Sequence, residues 1–245
     1  MRTITKTEPP ALAVWKAQTP GASGIGQGSY EQMPADVAAA VREALYREQC
    51  GLDAYTGEQI RLGTHVEPNG RRDGDTFHLE HMWPQEHSLA NGREAETVDF
   101  SNMAGCRPGS PPAIQKLPHG ARYKDDQHWP ALHERHEFVR PTMPGAEARF
   151  RYDATGKMHA VDPTDTPAVR TIEKINLNVE PLKGNRASAY LAATNKSALS
   201  VRDAERLLRS IELKEAACER LRPFSFVQKQ ALREHIAAGT TQATP

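Results

Sequence analysis

The chain has 245 residues, 38% of them hydrophobic, so it can bury a core in one domain or in two small ones. Its 31 basic and 31 acidic residues cancel, which excludes a global field that attracts nucleic acid; such contact needs a local patch or a partner subunit. We expect a soluble, cytoplasmic protein without membrane partners. The sequence shows no signal peptide and no apolar run of the roughly 20 residues that cross a bilayer, and its three cysteines are widely spaced.

An N-terminal arm that could dock a partner is predicted at residues 1–33, because this segment contains many proline, glycine and serine residues. The glycine-containing run at residues 21–26 follows no predicted strand and lacks a Lys-Ser/Thr pair, so no phosphate-binding loop is expected there. Residues 34–49 then predict a helix, since Val37 and Val41 recur at helical spacing.

Residues 50–140 are polar and loop-rich, and imidazole chemistry is expected here because most of the histidines lie in this segment. Residues 77–82 predict a short strand that ends before Pro84, because proline removes a ladder donor. A short apolar-polar run before Asn102 could pair with that strand. Residues 119–126 predict a helix, which completes a strand–strand–helix unit.

Residues 141–245 predict a β-hairpin followed by a helical region. The hairpin is expected at residues 148–158, where a glycine turn separates two extended runs. The stretch at residues 223–227 has two interpretations: an exposed anchor for a partner, or a clasp that closes the chain's own core. The helices are expected at residues 167–175, 184–194 and 201–221, the last capped by Ser200 or Asp203.

Glu80 and His81 are the strongest candidates for catalysis. Cleavage of a phosphodiester needs a base that accepts a proton near neutral pH, and histidine has the right intrinsic pKa. The charge of the transition state needs a hard cation, which carboxylate oxygens bind. Adjacent residues at the twisted end of a strand can supply both groups. Taken alone, however, a Glu-His pair more often marks an exposed strand end.

Three further residues bear on this site. Asn102 carries an amide that can hold the orientation of the histidine or of a loop carbonyl. Lys124, in the predicted helix, could meet a phosphate as a point charge. His78 lies two residues before Glu80 on the same strand face, where it either supports the site or is a surface residue.

The Glu-His-x-x-Pro-Gln core at residues 80–85 and the Asn-Leu-Asn segment at residues 176–178 form a fairly specific pair of motifs. With them, most of the chain resembles the HNH nuclease subunit of Septu-type anti-phage systems, which is also found beside some retrons. The other segments that carry the resemblance lie at residues 4–12, 48–49, 54–57, 78–79, 99–103, 120–124, 150–152 and 171–175, and at Arg186.

The resemblance implies an α+β protein with a ββα-metal (HNH) nuclease core at residues 34–140 that uses Mg²⁺ or Mn²⁺. It implies that His81 is the general base, Glu80 a metal ligand and Asn102 the residue that orients the site. It also implies a partner ATPase of the ABC or structural-maintenance (SMC) type, and DNA or tRNA as the nucleic-acid substrate. Beside retrons, a reverse transcriptase and its msDNA are further partners.

Family members often carry a structural zinc bound by cysteine pairs, and here the chain departs from the pattern. Asp53 and Thr56 stand where one pair would be, Gly120 replaces another cysteine, and only Cys106 remains. Because tetrahedral zinc needs four N or S ligands, we expect no structural zinc. Packing around three aromatic residues is expected to hold the unit together instead: Tyr55, Phe77 and Trp83.

The second metal ligand is the other departure. Many HNH sites place an Asn or His three residues before the helical lysine, where this chain has Ala121. His119 and Asp125 are the nearest candidates for this ligand. Alternatively, a single protein carboxylate and several waters hold the metal.

Two competing interpretations stay open. A non-catalytic assembly module would keep the HNH frame without turnover, and Ala121 and the missing cysteines favour it. A zinc-stapled homing-type nuclease would reveal itself by stoichiometric zinc in the purified chain. The substrate also stays open: DNA is the default for an HNH site and tRNA the alternative for retron-linked relatives, and the 2′-hydroxyl distinguishes them.

Overall fold

The computed structural model describes residues 1–19, 30–67, 70–108, 117–194 and 199–241, and within them the protein has the predicted α+β architecture. The glycine-containing run at residues 21–26 lies outside the described residues. The α-helices are α1 (Pro10–Gln18), α2 (Ala35–Glu48), α3 (Gln85–Ala90), α4 (Ala121–Asp126), α5 (Thr166–Lys174), α6 (Glu180–Thr194), α7 (Val201–Ala216) and α8 (Ser225–Thr241). The β-strands are β1 (His78–His81), β2 (Met103–Cys106), β3 (Phe150–Tyr152) and β4 (Met158–Ala160).

Strands β1 and β2 form a two-stranded antiparallel sheet in which His81 pairs with Met103, and α4 follows them in the chain. The strand–strand–helix order is therefore as predicted, but Asn102 precedes β2 rather than following a paired run. The reason lies in Asp99, whose carboxylate accepts a hydrogen bond from the backbone N–H of Ser101 at 2.8 Å. This bond caps a 3-10 turn, which delays the start of the strand.

Helix α2 confirms the prediction to within one residue at each end. Its apolar stripe, which includes Val37, Val41 and Leu45, packs against Leu12 of α1 and against Phe100 beside β2. This cluster supports the outer side of the small sheet, because Leu79 of β1 also packs against it.

The described part of the predicted N-terminal arm is packed into the fold. Met1, Ile4 and Leu12 are buried, and the backbone N–H of Ile4 donates to the carbonyl of Pro141 at 2.8 Å. The segment at residues 1–19 is therefore not a free tail. Docking of a partner on it stays a prediction.

The main hydrophobic core crosses the boundaries that the sequence predicts at residues 33 and 140. It combines Ile4 from the first segment, Tyr55 and Phe138 from the second, and Tyr152 and Phe226 from the third. Residues from all three predicted segments therefore pack in one core, and the division into three regions stays a prediction.

In the C-terminal region the predicted hairpin and helices are present. Ser200 caps α7, because its hydroxyl accepts a hydrogen bond from the backbone N–H of Asp203 at 3.1 Å. The helix ends at Ala216, five residues earlier than predicted, and Cys218 adopts a left-handed backbone conformation with φ of 52°. No helix in the part of the chain that the structure describes is both long and apolar enough to cross a bilayer.

The stretch at residues 223–227 closes the chain's own core. Phe224 and Phe226 are 6% and 3% exposed, and the ring of Phe226 packs against that of Tyr152 at a centroid distance of 5.3 Å. Of the two interpretations open from the sequence, the exposed partner anchor is therefore wrong and the clasp is confirmed.

Candidate active site

A cleft of about 360 Å³ lies beside β1, the first turn of α3 and the end of α4. It forms where β1 ends at His81 and Pro84 turns the chain into α3. Seven of its lining residues carry chemically reactive or hydrogen-bonding groups: His78, Glu80, His81, Gln85, Glu86, Asp125 and His128.

Glu80 is buried and paired with a lysine. The Nζ atom of Lys124 lies 2.8 Å from its Oε1, and the hydroxyl of Tyr55 donates to the same oxygen at 3.3 Å. Burial alone would raise the pKa of Glu80, but the charge and hydrogen bond of Lys124, together with the neighbouring ring of His78, lower it to about 2. Glu80 is therefore ionised at neutral pH.

His78, Glu80 and Asp125 form a donor group with the composition of a divalent-metal site. One ligand atom from each lies within 4.8 Å of the other two. Two carboxylates suit Mg²⁺ and Mn²⁺, and the added imidazole suits Mn²⁺ and other transition metals. In the described residues Nδ1 of His78 is buried without a hydrogen-bond partner, and burial together with the charge of Glu80 raises the pKa of Asp125. Lys124 pairs with both carboxylates, but one buried nitrogen of the group has no partner among the described residues, so the donor set fits a bound divalent cation.

Three neighbours enclose the ring of His81. Its Nε2 atom lies 2.8 Å from the carbonyl oxygen of Thr97, its Nδ1 lies 2.8 Å from the side-chain nitrogen of Gln85, and the ring of Tyr30 meets it edge-on at 5.2 Å. A carbonyl oxygen only accepts hydrogen bonds, so Nε2 carries the proton and Nδ1 the lone pair. Burial lowers the pKa of His81 to about 4, so the ring is neutral at pH 7.

Asn102 binds the loop that also carries the hydrogen-bond partner of His81. Its Oδ1 accepts a hydrogen bond from the backbone N–H of Trp83 at 2.7 Å, and its Nδ2 donates to the carbonyl of Glu96 at 3.0 Å. The next carbonyl along the chain, that of Thr97, accepts the bond from His81. The buried amide therefore binds the loop one residue before the carbonyl that contacts the histidine. An orienting role of Asn102 stays a prediction.

Lys124 differs from the expectation that it contacts a phosphate. Its side chain is 0% exposed, and oxygens of Glu80, Asp125, His81 and Trp129 lie within 3.4 Å of its ammonium. Burial opposes the charge, but the two carboxylates raise the pKa of Lys124 overall. The predicted phosphate contact is therefore corrected, because an ammonium surrounded by protein oxygens is an internal counterion that joins β1 to α4.

His119, one of the two candidates for the second metal ligand, lies outside the donor group. Its Nε2 is 3.5 Å from a carboxylate oxygen of Glu58. Burial would lower the pKa of His119, but the bond to Glu58 raises it overall. Asp125, the other candidate, belongs to the donor group, and His78 joins it. The structure thus favours Asp125 over His119.

A hydrogen-bond network occupies the place where the resemblance implies a structural zinc. The buried carboxylate of Asp53 accepts hydrogen bonds from the backbone N–H groups of Tyr55, Thr56 and Arg107, at 2.9, 2.7 and 2.6 Å. A Cβ atom at Gly120 would lie 3.2 Å from the side chain of Thr56. Asp53 therefore cross-links this turn to the end of β2. The expected absence of zinc stays a prediction.

Some of these contacts have no signal in the sequence. His78 is distinguished only by sharing a strand face with Glu80. Gln85 belongs to the motif at residues 80–85, but only the first turn of α3 brings its amide to His81. Thr97 acts through its backbone carbonyl, which any residue could supply.

No family model matches this chain, and no curated protein matches it either.

Proposed function

We propose that the chain is a metal-dependent HNH endonuclease that hydrolyses phosphodiester bonds of DNA or tRNA. The observation that carries the proposal is a single cleft in which His81 adjoins the donor group of His78, Glu80 and Asp125. Phosphodiester hydrolysis needs a base and a cation at one place. The order of β1, β2 and α4 agrees with a ββα-metal core.

In the proposed reaction, Nδ1 of His81 takes a proton from the attacking water. The carbonyl of Thr97 holds the Nε2 proton and stabilises the positive charge that then forms on the ring. Glu80, Asp125 and His78 would hold Mg²⁺ or Mn²⁺. When bound, the cation supplies the charge that stabilises the phosphate oxygens and the leaving oxygen in the transition state.

We further propose that the chain is the effector subunit of a cytoplasmic anti-phage complex. Its partner would be an ABC- or SMC-type ATPase that senses infection and controls cleavage, with a retron reverse transcriptase and its msDNA where the system lies beside a retron. This part of the proposal rests on the resemblance alone.

The test is a cleavage assay on plasmid DNA, single-stranded DNA and total tRNA with Mg²⁺ or Mn²⁺, using the chain alone and with its co-purified ATPase. His81→Ala is expected to lower cleavage at least about a hundredfold, the usual contribution of a general base. The exposed His65 provides a matched control, and His65→Ala should cleave like the wild type. Undiminished cleavage by His81→Ala would contradict the proposal, as would no cleavage by either preparation.

The second candidate function is the non-catalytic assembly module. It is favoured by a specific observation: Lys124 already neutralises Glu80, Nε2 of His81 bonds the carbonyl of Thr97, and the amide nitrogen of Gln85 lies over the ring, 2.8 Å from Nδ1 and 3.3 Å from Nε2. Under this view the wild type and His81→Ala are equally inactive with the ATPase present, and His81→Ala alters only stability.

Metal binding separates the residues of the donor group from their neighbours. Asp125→Asn is expected to weaken Mn²⁺ binding roughly tenfold or more, since even residues behind metal ligands contribute ten- to a hundredfold. Asp126→Asn is the matched control: Asp126 has the same 50% side-chain exposure but pairs with Arg122. Isothermal titration calorimetry on both variants gives the comparison.

The two histidines are distinguished in the same titration. His78→Asn should weaken Mn²⁺ binding, whereas His119→Asn should leave it unchanged, because His119 contacts Glu58 instead. The reverse order of affinities would return His119 to the metal site.

A further inference from the structure

The loop that follows α5 is hydrogen-bonded to the segment that leads into α4. The side-chain nitrogen of Asn176 donates to the carbonyl of Pro118 at 2.9 Å. The backbone N–H of Gly120, the residue directly before α4, donates to the carbonyl of Ile175, also at 2.9 Å. Because the two segments are far apart in the chain, these bonds are tertiary contacts that fix where the helix begins.

Helix α4 depends on such contacts because it is short. It has six residues, and its N-cap is a glycine, which offers no capping side chain; a helix of this length is not stable alone. Its other end is held from the end of α5, since the side-chain nitrogen of Gln127 donates to the carbonyl of Lys174 at 3.1 Å. The helix carries Lys124 and Asp125, so its position against β1 sets the distance between Asp125 and Glu80.

The backbone of Asn176 has a separate, local role at the end of α5. Its φ is 52°, in the left-handed region that glycine, and less often asparagine, adopts after a helix. The N–H of Asn176 donates to the carbonyl of Glu173 at 3.0 Å, and the N–H of Leu177 donates to that of Ile172 at 2.9 Å. This pair of bonds is a Schellman motif, in which the side-chain amide takes no part. A glycine could therefore replace the backbone role of Asn176 but not its bond to Pro118.

We propose that Asn176 is a positioning residue that holds α4 against β1 and thereby keeps Asp125 in the donor group of the cleft. This inference rests on the proposed function, because that donor group is the proposed metal site. Asn176 acts through the carbonyl of Pro118 and the first turn of α4. The Asn-Leu-Asn segment, which the sequence singles out, thus contributes to the metal site from outside the cleft.

Mn²⁺ binding tests the proposal with two variants of this segment. Asn176→Gly removes the amide and keeps the left-handed backbone, so the end of α5 stays intact. In isothermal titration calorimetry it should weaken Mn²⁺ binding about two- to tenfold, the value of one neutral hydrogen bond. Asn178→Ala is the matched control: Asn178 is also half-buried, but its amide bonds the backbone N–H and carbonyl of Met158 in β4, at 2.8 and 2.9 Å. Asn178→Ala should bind Mn²⁺ like the wild type, although it loses more hydrogen bonds.

Amide hydrogen exchange, followed by NMR in the metal-free protein, gives a readout that does not need the cation. The N–H of Lys124 donates to the carbonyl of Gly120 at 3.1 Å, in the first turn of α4. In Asn176→Gly this N–H should exchange roughly two- to tenfold faster than in the wild type, because the helix opens more often. In Asn178→Ala the N–H of Met158 should exchange faster instead, and that of Lys124 should be unchanged.

The outcomes separate this inference from the proposed function. Unchanged exchange at Lys124 in Asn176→Gly, or equal Mn²⁺ affinities of Asn176→Gly and Asn178→Ala, would overturn the positioning role. If the wild type binds no Mn²⁺, the proposed metal site fails, while the exchange experiment still decides whether Asn176 holds α4.

Discussion

Lys124→Met is expected to lower the free energy of unfolding of the metal-free protein by about 3 kcal/mol or more. The change removes the ammonium at 2.8 Å from Glu80 and leaves that carboxylate buried beside Tyr55, His78 and the second carboxylate, that of Asp125. Removing one partner of a buried ion pair costs roughly 3–5 kcal/mol, because the other charge stays desolvated. Methionine has a similar length, so little of the loss comes from a cavity.

Urea unfolding in the presence of a chelator measures this loss. Lys157→Met, at an exposed position in the turn between β3 and β4, is the matched control and should change stability by less than about 0.5 kcal/mol. Equal stability of the two variants would contradict the role of Lys124 as a counterion.

Addition of Mn²⁺ extends the comparison. A divalent cation bound at Glu80 replaces the missing positive charge, so it should stabilise Lys124→Met more than the wild type. At a hundredfold excess over Kd, the ligand alone contributes about 2.7 kcal/mol. Equal stabilisation of both proteins would show that the cation does not bind beside Glu80.

The elements of this fold that the sequence predicted are those with local causes. Helix α2 follows from apolar residues at helical spacing, and the β3–β4 hairpin follows from its glycine turn. The burial of Leu12 and the closure of the core by Phe226 have no such local cause. Both depend on contacts with segments far away in the chain. The proline, glycine and serine residues of the first segment instead indicated an arm.

The candidate site divides in the same way. Glu80 and His81 are adjacent in one short strand, so a motif was enough to place them together. The choice between His119 and Asp125 depended on how the six-residue α4 is rotated against the sheet. Lys124 and Asp125 start about 100° apart around the helix, yet both side chains reach Glu80. Tertiary packing decides that the side chain of Lys124 is buried and that of Asp125 is half exposed.

Asp53→Ala is expected to destabilise the protein by about 3 kcal/mol. The substitution leaves the backbone N–H groups of Tyr55, Thr56 and Arg107 without their acceptor. Each buried donor that loses its partner costs roughly 1–3 kcal/mol, and the loss here affects both the turn and the end of β2. Asp53→Asn should cost less, because its amide oxygen can still accept the two bonds from the turn.

The control is a second aspartate of the same kind at the surface. Asp162 also accepts a backbone N–H, that of Thr164 at 2.8 Å, but it is fully exposed, so water can replace it in Asp162→Ala with little effect. In thermal and urea unfolding, Asp53→Ala should be clearly less stable than Asp53→Asn and Asp162→Ala. Treatment with a zinc chelator should not change this order. A loss of stability on chelation in the wild type would instead show that zinc, and not the carboxylate of Asp53, joins the turn to the sheet.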